Sequence, residues 1–187
     1  MGADKGALPF GCETMLARIT RLVREIAVEV IVVGRRDQGG VTVHDAVEDQ
    51  GPLSGIAAGL AASVTDLNVV VACDMPLIKP AVLRRLVEAI DDHDACVAMI
   101  DAHASALGGV NRSRVASDAQ ALLDSGERRV LRLLDGIKTK RVDAALLRDI
   151  DPELDTFVSC NTPEAYRWAL ERSEIRDPKS EILKRSP

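Results

Sequence analysis

The chain has 187 residues, of which 47% are hydrophobic and 28% are charged, and it carries a formal net charge of −5. This length fits a single domain, and the composition is that of a soluble globular protein. Aromatic residues make up only 2% of the chain, so the core must be built from Val, Leu, Ile and Ala, which favours α/β layers over a β-sandwich. The acidic balance disfavours nucleic acid as the main partner, because phosphate backbones are bound by basic faces.

The cysteines and the hydropathy pattern indicate a cytoplasmic protein without a membrane partner. The four cysteines show no Cys-x-x-Cys spacing, and they are Cys12, Cys73, Cys96 and Cys160. We therefore interpret them as small buried or half-buried hydrophobic residues in a reducing compartment, rather than as a zinc site or a disulfide framework. No apolar run approaches the roughly 20 residues that a membrane helix needs, and no signal peptide pattern is visible.

The predicted elements alternate between helices and strands. In chain order they are an amphipathic helix at 13–26, strands at 28–34 and 41–45, a small-residue helix at 51–64, a strand leading to Asp74, a helix at 80–90, a strand at 95–100, helices at 112–126 and 128–137, an edge strand at 138–144, a short strand before Thr162, and a helix that Thr162 caps. This alternation predicts an α/β fold with a mostly parallel sheet and helices on both faces. We expect one domain at 1–172 and a polar tail at 173–187.

Ligands of such sheets bind beyond the carboxyl ends of the strands, which directs attention to Asp74. This aspartate follows a continuous apolar strand, so its carboxylate would be rigid and half shielded, as a Mg²⁺ ligand requires. An aspartate in this position is equally suited to cap the helix that follows. Position alone leaves both interpretations open.

Three further segments carry candidate binding residues. Lys5 lies in a glycine-flanked loop, where it is either a ligand for phosphate oxygens or a solvated terminal lysine. Asp45 closes the second predicted strand and is either an acceptor for a base or sugar or an ordinary loop acid. Arg128 and Arg129 follow Gly126, and they either grip an anion as guanidinium forks or are exposed helix charges.

Five segments, taken together and in this order, resemble the molybdenum cofactor guanylyltransferase family. The resemblance runs from Met1 to about Arg172, and its most discriminating pieces are the CDMP and GERR motifs. The segments are MGADKGALPFGCETML, DQGPLSGIAAGL, VVACDMPLI, SGERRVLRLL and CNTPEAY.

The resemblance implies a Rossmann-like nucleotidyltransferase that moves GMP from GTP to the terminal phosphate of molybdopterin, or of its molybdenum-bound form, and releases pyrophosphate. It implies Mg²⁺ as cofactor, and molybdoenzymes or cofactor-delivery proteins as partners. Lys5 matches the family's phosphate-contacting lysine, Asp74 its Mg²⁺-binding aspartate and Asp45 an aspartate at the nucleotide site. Arg128 and Asn161 match the acceptor side, Asn161 as the second of two paired asparagines.

The sequence departs from the family pattern in three places. The family has a strand and a glycine-rich loop before the position of Met1, so we expect a chain starting at Met1 to be poorly stable and weakly active. The segment HASALGGVNRS lacks a proline and carries Gly108 and Gly109, and Ser159 replaces the first paired asparagine. These departures keep two alternatives open: a related transferase that uses CTP or another phosphorylated acceptor, and a non-catalytic paralogue.

Overall fold

The computed structural model of the protein describes residues 5–34, 41–43 and 51–176, which form short strands and helices in alternation. The strands are β1 (Pro9–Phe10), β2 (Glu13–Thr14), β3 (Ile31–Val33), β4 (Val41–Val43), β5 (Leu67–Val70), β6 (Ala95–Ile100), β7 (His103–Ala104), β8 (Gly109–Arg112) and β9 (Thr139–Asp143). The helices are α1 (Met15–Val23), α2 (Pro52–Ala62), α3 (Pro80–Ala89), α4 (Val115–Asp124), α5 (Val130–Gly136) and α6 (Pro163–Arg176).

The main sheet is organised around β6, whose two edges are both paired. One edge pairs in parallel with β9, and the other pairs antiparallel with β8 and with β7. Strand β8 also pairs antiparallel with β5, so Val110 lies between Val69 and Cys96. Strands β5, β6 and β9 therefore run in one direction, and β8 runs against them. Strands β3 and β4 form a separate parallel pair.

The prediction of a mostly parallel sheet is not confirmed, and the difference arises in the segment after β6. Asp101 and Ala102 adopt positive φ angles of 47° and 65°, which reverse the chain in a tight hairpin. The chain then returns as β7 and β8. A parallel strand would have needed a crossover of a dozen or more residues instead. Within the described residues, antiparallel pairings outnumber the parallel pairs β3–β4 and β6–β9.

Helices cover both faces of the sheet, as predicted. Alternate side chains of a strand point to opposite faces, and β6 shows this directly. Ala95 and Val97 pack in one cluster with α2, α4 and α5. Cys96 and Ala98 pack in another cluster with α3. The buried residues are mostly aliphatic, and Phe10 is the one aromatic side chain among those that the described part of the chain buries fully.

The last helix begins where the sequence places it but ends later. Thr162 accepts a hydrogen bond from the backbone N–H of Ala165 at 3.2 Å, which is the predicted cap, and α6 continues past Arg172 to Arg176. The short strand predicted before Thr162 is wrong, because Asp155–Phe157 form a 3₁₀ turn after Leu154 in a left-handed conformation. Within the described ranges, no helix combines the length and apolar character that crossing a membrane requires.

Two glycines allow β8 to approach its neighbours closely. A Cβ atom on Gly109 would lie 2.9 Å from the carbonyl oxygen of Cys96 and 2.9 Å from a methyl group of Val97. Gly108 has a φ of +84°, and its Cβ would lie 2.9 Å from the terminal methyl of Met75. The packing of the sheet therefore requires glycine at positions 108 and 109, where the sequence departs from the family pattern.

Substitution of Gly109 by alanine should destabilise the protein, because the neighbouring backbone of β6 cannot move aside cheaply. We expect Gly109→Ala to lower the free energy of unfolding by about 1–3 kcal/mol, as overpacking usually does. Gly136→Ala is the control, since its Cβ meets no heavy atom within 4 Å. Denaturant titration would measure both variants, and equal losses of stability would contradict the close approach of β8 to β6.

Candidate active site

Three of the predicted site residues come together although they are far apart in the sequence. The Nζ atom of Lys5 donates to Oδ2 of Asp74 at 3.1 Å. It also donates to Oδ1 of Asn161. The Lys5 ammonium group therefore lies between a carboxylate and an amide. This position is near the carboxyl end of β5.

Local structure fixes each of the three residues. Lys5 begins a 3₁₀ turn. The N–H of Leu8 donates to the carbonyl of Lys5 at 3.2 Å and closes this turn. Asp74 follows β5 in a turn, and its carbonyl accepts the N–H of Cys160 at 2.8 Å. This backbone bond ties the segment before α6 to the segment after β5. Asn161, the next residue, is therefore held beside Asp74.

The Asp74 carboxylate is buried and only half satisfied. The residue is 8% exposed, and in the described part of the chain its Oδ1 atom has no hydrogen-bond partner. Buried carboxylate oxygens normally have a donor or a cation. The alternative that Asp74 caps a helix is wrong, since the N-cap of α3 is Lys79 and no side chain caps that helix.

The chemistry of this carboxylate fits a magnesium ligand. Mg²⁺ keeps several waters and is usually bound through one or two carboxylates and the phosphates of a substrate. The described residues contain no group of three or more His, Cys, Asp or Glu side chains arranged for a metal, so a single carboxylate with a free oxygen is what they offer. Oδ1 of Asp74 meets that requirement.

Lys5 is not a solvated terminal lysine. Its side chain is 30% exposed, and its ammonium group has two partners on distant segments. One face of the ammonium group is therefore held in place, while the exposed part remains accessible to an anion. An ammonium group so placed is suited to phosphate oxygens.

Comparison with known proteins decides the family. Residues 1–142 match the model of the MobA-like NTP transferase domain. The chain belongs to the MobA-like NTP transferase family. It is a nucleotidyltransferase by family.

Two curated relatives and one solved structure show how far the likeness extends. A probable molybdenum cofactor guanylyltransferase of Methanothermobacter thermautotrophicus is 30% identical over 182 residues, which cover 89% of this chain and 91% of the relative. One of Pelotomaculum thermopropionicum is 29% identical over 168 residues, 87% of this chain and 82% of the relative. Molybdopterin-guanine dinucleotide biosynthesis protein A from Archaeoglobus fulgidus superposes with a TM-score of 0.81 at 22% identity, over 93% of this chain and 92% of that one. The fold is therefore the predicted Rossmann-like nucleotidyltransferase fold.

Buried ion pairs support the loop that carries Asn161 in this MobA-like transferase. Nζ of Lys79 lies 2.8 Å from Oδ1 of Asp151, whose Oδ2 accepts the N–H of Thr156 at 2.8 Å. Nε of Arg172 lies 3.0 Å from Oδ2 of Asp155. Both aspartates are at most 1% exposed. Sequence reasoning missed these residues, because they lie among other charged residues in the segment RDIDPELD before the predicted strand, where no local signal sets them apart.

The electrostatics at Asp151 and Cys160 follow from their burial. Burial raises the pKa of the Asp151 carboxyl, but the hydrogen bonds from Lys79 and Thr156 outweigh it and hold the pKa below its usual range. Burial and the charge of Asp74 raise the pKa of the Cys160 thiol to about 11, which Lys5 opposes only in part. The Cys160 thiol beside the site is therefore protonated at neutral pH.

Arg128 does not reach the cluster that Lys5 forms. Its guanidinium donates to the carbonyls of Leu123 and Glu127, each at 2.8 Å, so it closes the end of α4. Its own carbonyl lies near Gly51 at the start of α2. The GERR motif of the MobA-like transferase thus adjoins the Gly-Pro-Leu-Ser-Gly segment.

The structure places Arg129 but does not describe Asp45. Arg129 pairs with Glu127 at 2.7 Å, and the hydrogen bond from Arg129 is the largest cause that lowers the pKa of Glu127, to about 2. Arg129 is thus an exposed charge, as the second interpretation expected, and its partner Glu127 is half-buried. Asp45 and its neighbour His44 lie outside the described residues.

Loss of the Asp151 carboxylate should weaken the loop in a pH-dependent way. Because the pKa of Asp151 is lower in the folded protein than in the unfolded chain, the contribution of this group is present at neutral pH and is lost as the pH falls through the folded value. We expect Asp151→Asn to cost about 1–3 kcal/mol of unfolding free energy at pH 7. The difference from wild type should shrink at acid pH.

The matched control for this experiment is Asp149→Asn, which removes an exposed pair with Arg85. An exposed pair contributes about 0–1 kcal/mol, so this variant should change stability little. Denaturant titrations at pH 7 and at pH 3 would measure both variants. A loss at Asp151 that is no larger than the loss at Asp149 would contradict the supporting role of the buried pair.

The cysteines should differ in reactivity according to their exposure. Cys12 and Cys73 are exposed, whereas Cys96 and Cys160 are buried, and burial raises the pKa of both buried thiols to about 11. We expect iodoacetamide at neutral pH to label Cys12 and Cys73 first, as mass spectrometry of peptides would show. Denatured protein, in which all four should react, is the control. Rapid labelling of Cys160 in folded protein would show that its loop opens.

Proposed function

We propose that the chain transfers GMP from GTP to the terminal phosphate of molybdopterin, or of its molybdenum-bound form, with release of pyrophosphate and dependence on Mg²⁺. The observation that carries this proposal is the contact of Lys5 with Asp74 and Asn161 in a MobA-like transferase. The names of the curated relatives support guanylyl transfer in molybdenum cofactor biosynthesis.

The proposed reaction is a substitution at the α-phosphorus of GTP. An oxygen of the acceptor phosphate forms a bond to this phosphorus, and the bond to the oxygen that leads to the β-phosphate breaks. The electron pair of that bond leaves with pyrophosphate. Because the attacking group is already an anion, the step needs no strong general base, and catalysis consists mainly of positioning and electrostatic stabilisation.

Each residue of the cluster has one task in this scheme. Asp74 would hold Mg²⁺ through Oδ1, and the bound ion would supply charge neutralisation of the triphosphate. Lys5 would bind phosphate oxygens on which negative charge accumulates as pyrophosphate leaves. Asn161 accepts a hydrogen bond from Lys5 through Oδ1, which leaves its amide N–H₂ group to donate to the acceptor phosphate.

A different phosphorylated acceptor, or CTP as donor, is the second candidate. The observation in its favour is Ser159, which stands two residues before Asn161 where the family has another asparagine. A hydroxyl keeps one hydrogen-bonding group but loses the amide. We propose GTP and molybdopterin as the substrates. Assays with a panel of nucleotides would decide between GTP and CTP.

Removal of either charged side chain should abolish most of the transfer. We expect Lys5→Met and Asp74→Asn each to lower kcat by about 10²–10³-fold, the usual cost of one lost electrostatic contact in the transition state. Lys138→Met and Asp149→Asn are the controls, since both residues lie in exposed pairs. Release of pyrophosphate from GTP with molybdopterin and Mg²⁺ is the measurement.

The outcomes separate the candidates. A higher kcat/KM for CTP than for GTP would overturn the choice of nucleotide. Calorimetric titration with GTP and Mg²⁺ accompanies the assay, so that binding is measured separately from turnover. Binding that Asp74→Ala abolishes supports the site, whereas unchanged binding in this variant, or none in the parent chain, favours a non-catalytic paralogue.

A further inference from the structure

Arg18, a half-buried residue of α1, makes two contacts that link distant parts of the chain. Its Nε atom donates to the carbonyl of Pro76 at 2.8 Å. Its Cζ atom lies 5.1 Å from the centroid of the Phe10 ring, a distance at which a cation is attracted to an aromatic face. A planar guanidinium group can donate in its plane and stack on a ring at the same time. Arg18 therefore holds Pro76 and Phe10 together.

These two contacts connect the segments that carry the charged residues of the site. We call residues 5–10, which begin with Lys5, the lysine segment. Residues 74–76, which begin with Asp74, are the aspartate segment. Arg18 contacts the last residue of each segment. Its guanidinium group therefore sets the distance between the two pieces of backbone from which the ammonium group and the carboxylate extend.

Tyr166 makes a second bridge to the lysine segment. Its hydroxyl donates to the carbonyl of Pro9, and its ring meets the Phe10 ring edge to face, with the ring centroids 6.4 Å apart. Tyr166 lies near the beginning of α6, the helix that follows Asn161. The lysine segment is thus joined to the aspartate segment through Arg18 and to the part of the chain that carries Asn161 through Tyr166.

The contacts of the Lys5 ammonium group do not by themselves fix the lysine segment. A lysine side chain has a flexible four-carbon stem, and an ion pair that stays partly exposed contributes little. In the proposed reaction the ammonium group also binds phosphate oxygens, so its contact with Asp74 would weaken when the nucleotide is present. The backbone of Lys5 must then be held by other groups, and Arg18 and Tyr166 make the contacts that do so.

We propose that Arg18 and Tyr166 are positioning residues, which hold the lysine segment so that the Lys5 ammonium group stays beside Asp74 and within reach of the nucleotide phosphates. Neither side chain touches the substrate in this scheme. Because Arg18 donates from a charged group and Tyr166 from a neutral hydroxyl, Arg18 makes the larger contribution. The restraint on Lys5 is a property of the fold, whereas its effect on transfer rests on the proposed function.

The first measurement follows the Lys5 amine directly and does not depend on nucleotidyl transfer. Folded protein is labelled with acetic anhydride, and mass spectrometry of peptides gives the labelling rate of each lysine. In Arg18→Met, Lys5 should react about tenfold faster, because a hydrogen bond from a charged donor shifts an equilibrium by roughly that factor. Tyr166→Phe keeps the ring and loses the hydroxyl, so its effect on Lys5 should be in the same direction but smaller. Lys79, which pairs with Asp151, is the internal reference and should react at an unchanged rate.

The matched control is Arg21→Met. Arg21 lies in the same helix and pairs with Glu13 at 2.7 Å, a carboxylate that Arg18 also approaches at 3.7 Å. Loss of Arg21 disturbs this helix and this carboxylate, and it should leave the labelling rate of Lys5 unchanged. Arg18→Lys keeps the charge and one donor for the carbonyl of Pro76, so it should restore part of the protection of Lys5. This variant and Tyr166→Phe are the tests to use if Arg18→Met does not fold.

The second measurement connects the restraint to transfer. We expect Arg18→Met to lower kcat by about 10–10²-fold, because misplacement of a reacting group by a remote substitution costs up to that much. In a chain that already carries Lys5→Met, the same substitution should lower kcat no further, since residues that act through one another are not additive.

Three results would overturn the proposal. The first is an unchanged labelling rate of Lys5 in both Arg18→Met and Tyr166→Phe. The second is equal acceleration at Lys5 and Lys79, which would show a general loosening of the fold. The third is an equal loss of kcat with and without Lys5. If the parent chain transfers no nucleotide, the proposed function fails, whereas faster labelling of Lys5 alone still supports the restraint.

Discussion

The contact between Lys5 and Asp74 is the interaction on which the candidate site depends. It joins the beginning of the described chain to the end of β5, and Lys5 also bonds to Asn161. The hydrogen bond from Cys160 N–H to the carbonyl of Asp74 fixes the third segment independently of the side chains. The fold thus brings a cation, a carboxylate and an amide to one place by two separate constraints, one electrostatic and one within the backbone.

The ion pairs behind this cluster contribute to geometry more than to net stability. Lys79 with Asp151 and Arg172 with Asp155 each combine a buried carboxylate with a half-exposed cation. The cost of desolvating such charges offsets much of their attraction. Their main effect is to fix the backbone conformation of residues 151–156, because each buried carboxylate is held by donors in specific positions. The position of Asn161 follows from that conformation.

Sequence reasoning succeeded where the signal is local or where motif order is specific. Strand β6 and helices α2 to α5 follow from apolar periodicity and from Pro52 and Pro80, and motif order brought out Lys5, Asp74 and Asn161. Strand β8 was missed because Gly108 and Gly109 interrupt its apolar pattern. Glycine is needed at these positions because a Cβ atom would collide with Met75 and Cys96. A 3₁₀ turn replaces the predicted strand near Thr156, whose N–H bonds to Asp151. The contacts of Gly108 and Gly109 join distant segments of the chain and therefore leave no local pattern.

The unequal environments of the two Asp74 oxygens constrain the order of events in the proposed reaction. Oδ2 is already paired with the ammonium of Lys5, so a divalent cation at Oδ1 would lie close to another positive charge. Their repulsion would weaken metal binding to the free protein, whereas the negative phosphates of a nucleotide would attract both cations. Metal and nucleotide should therefore bind with positive coupling, and by reciprocity each raises the affinity for the other. In this proposal the one carboxylate that the described residues offer would be sufficient, because the substrate would supply the rest of the negative charge.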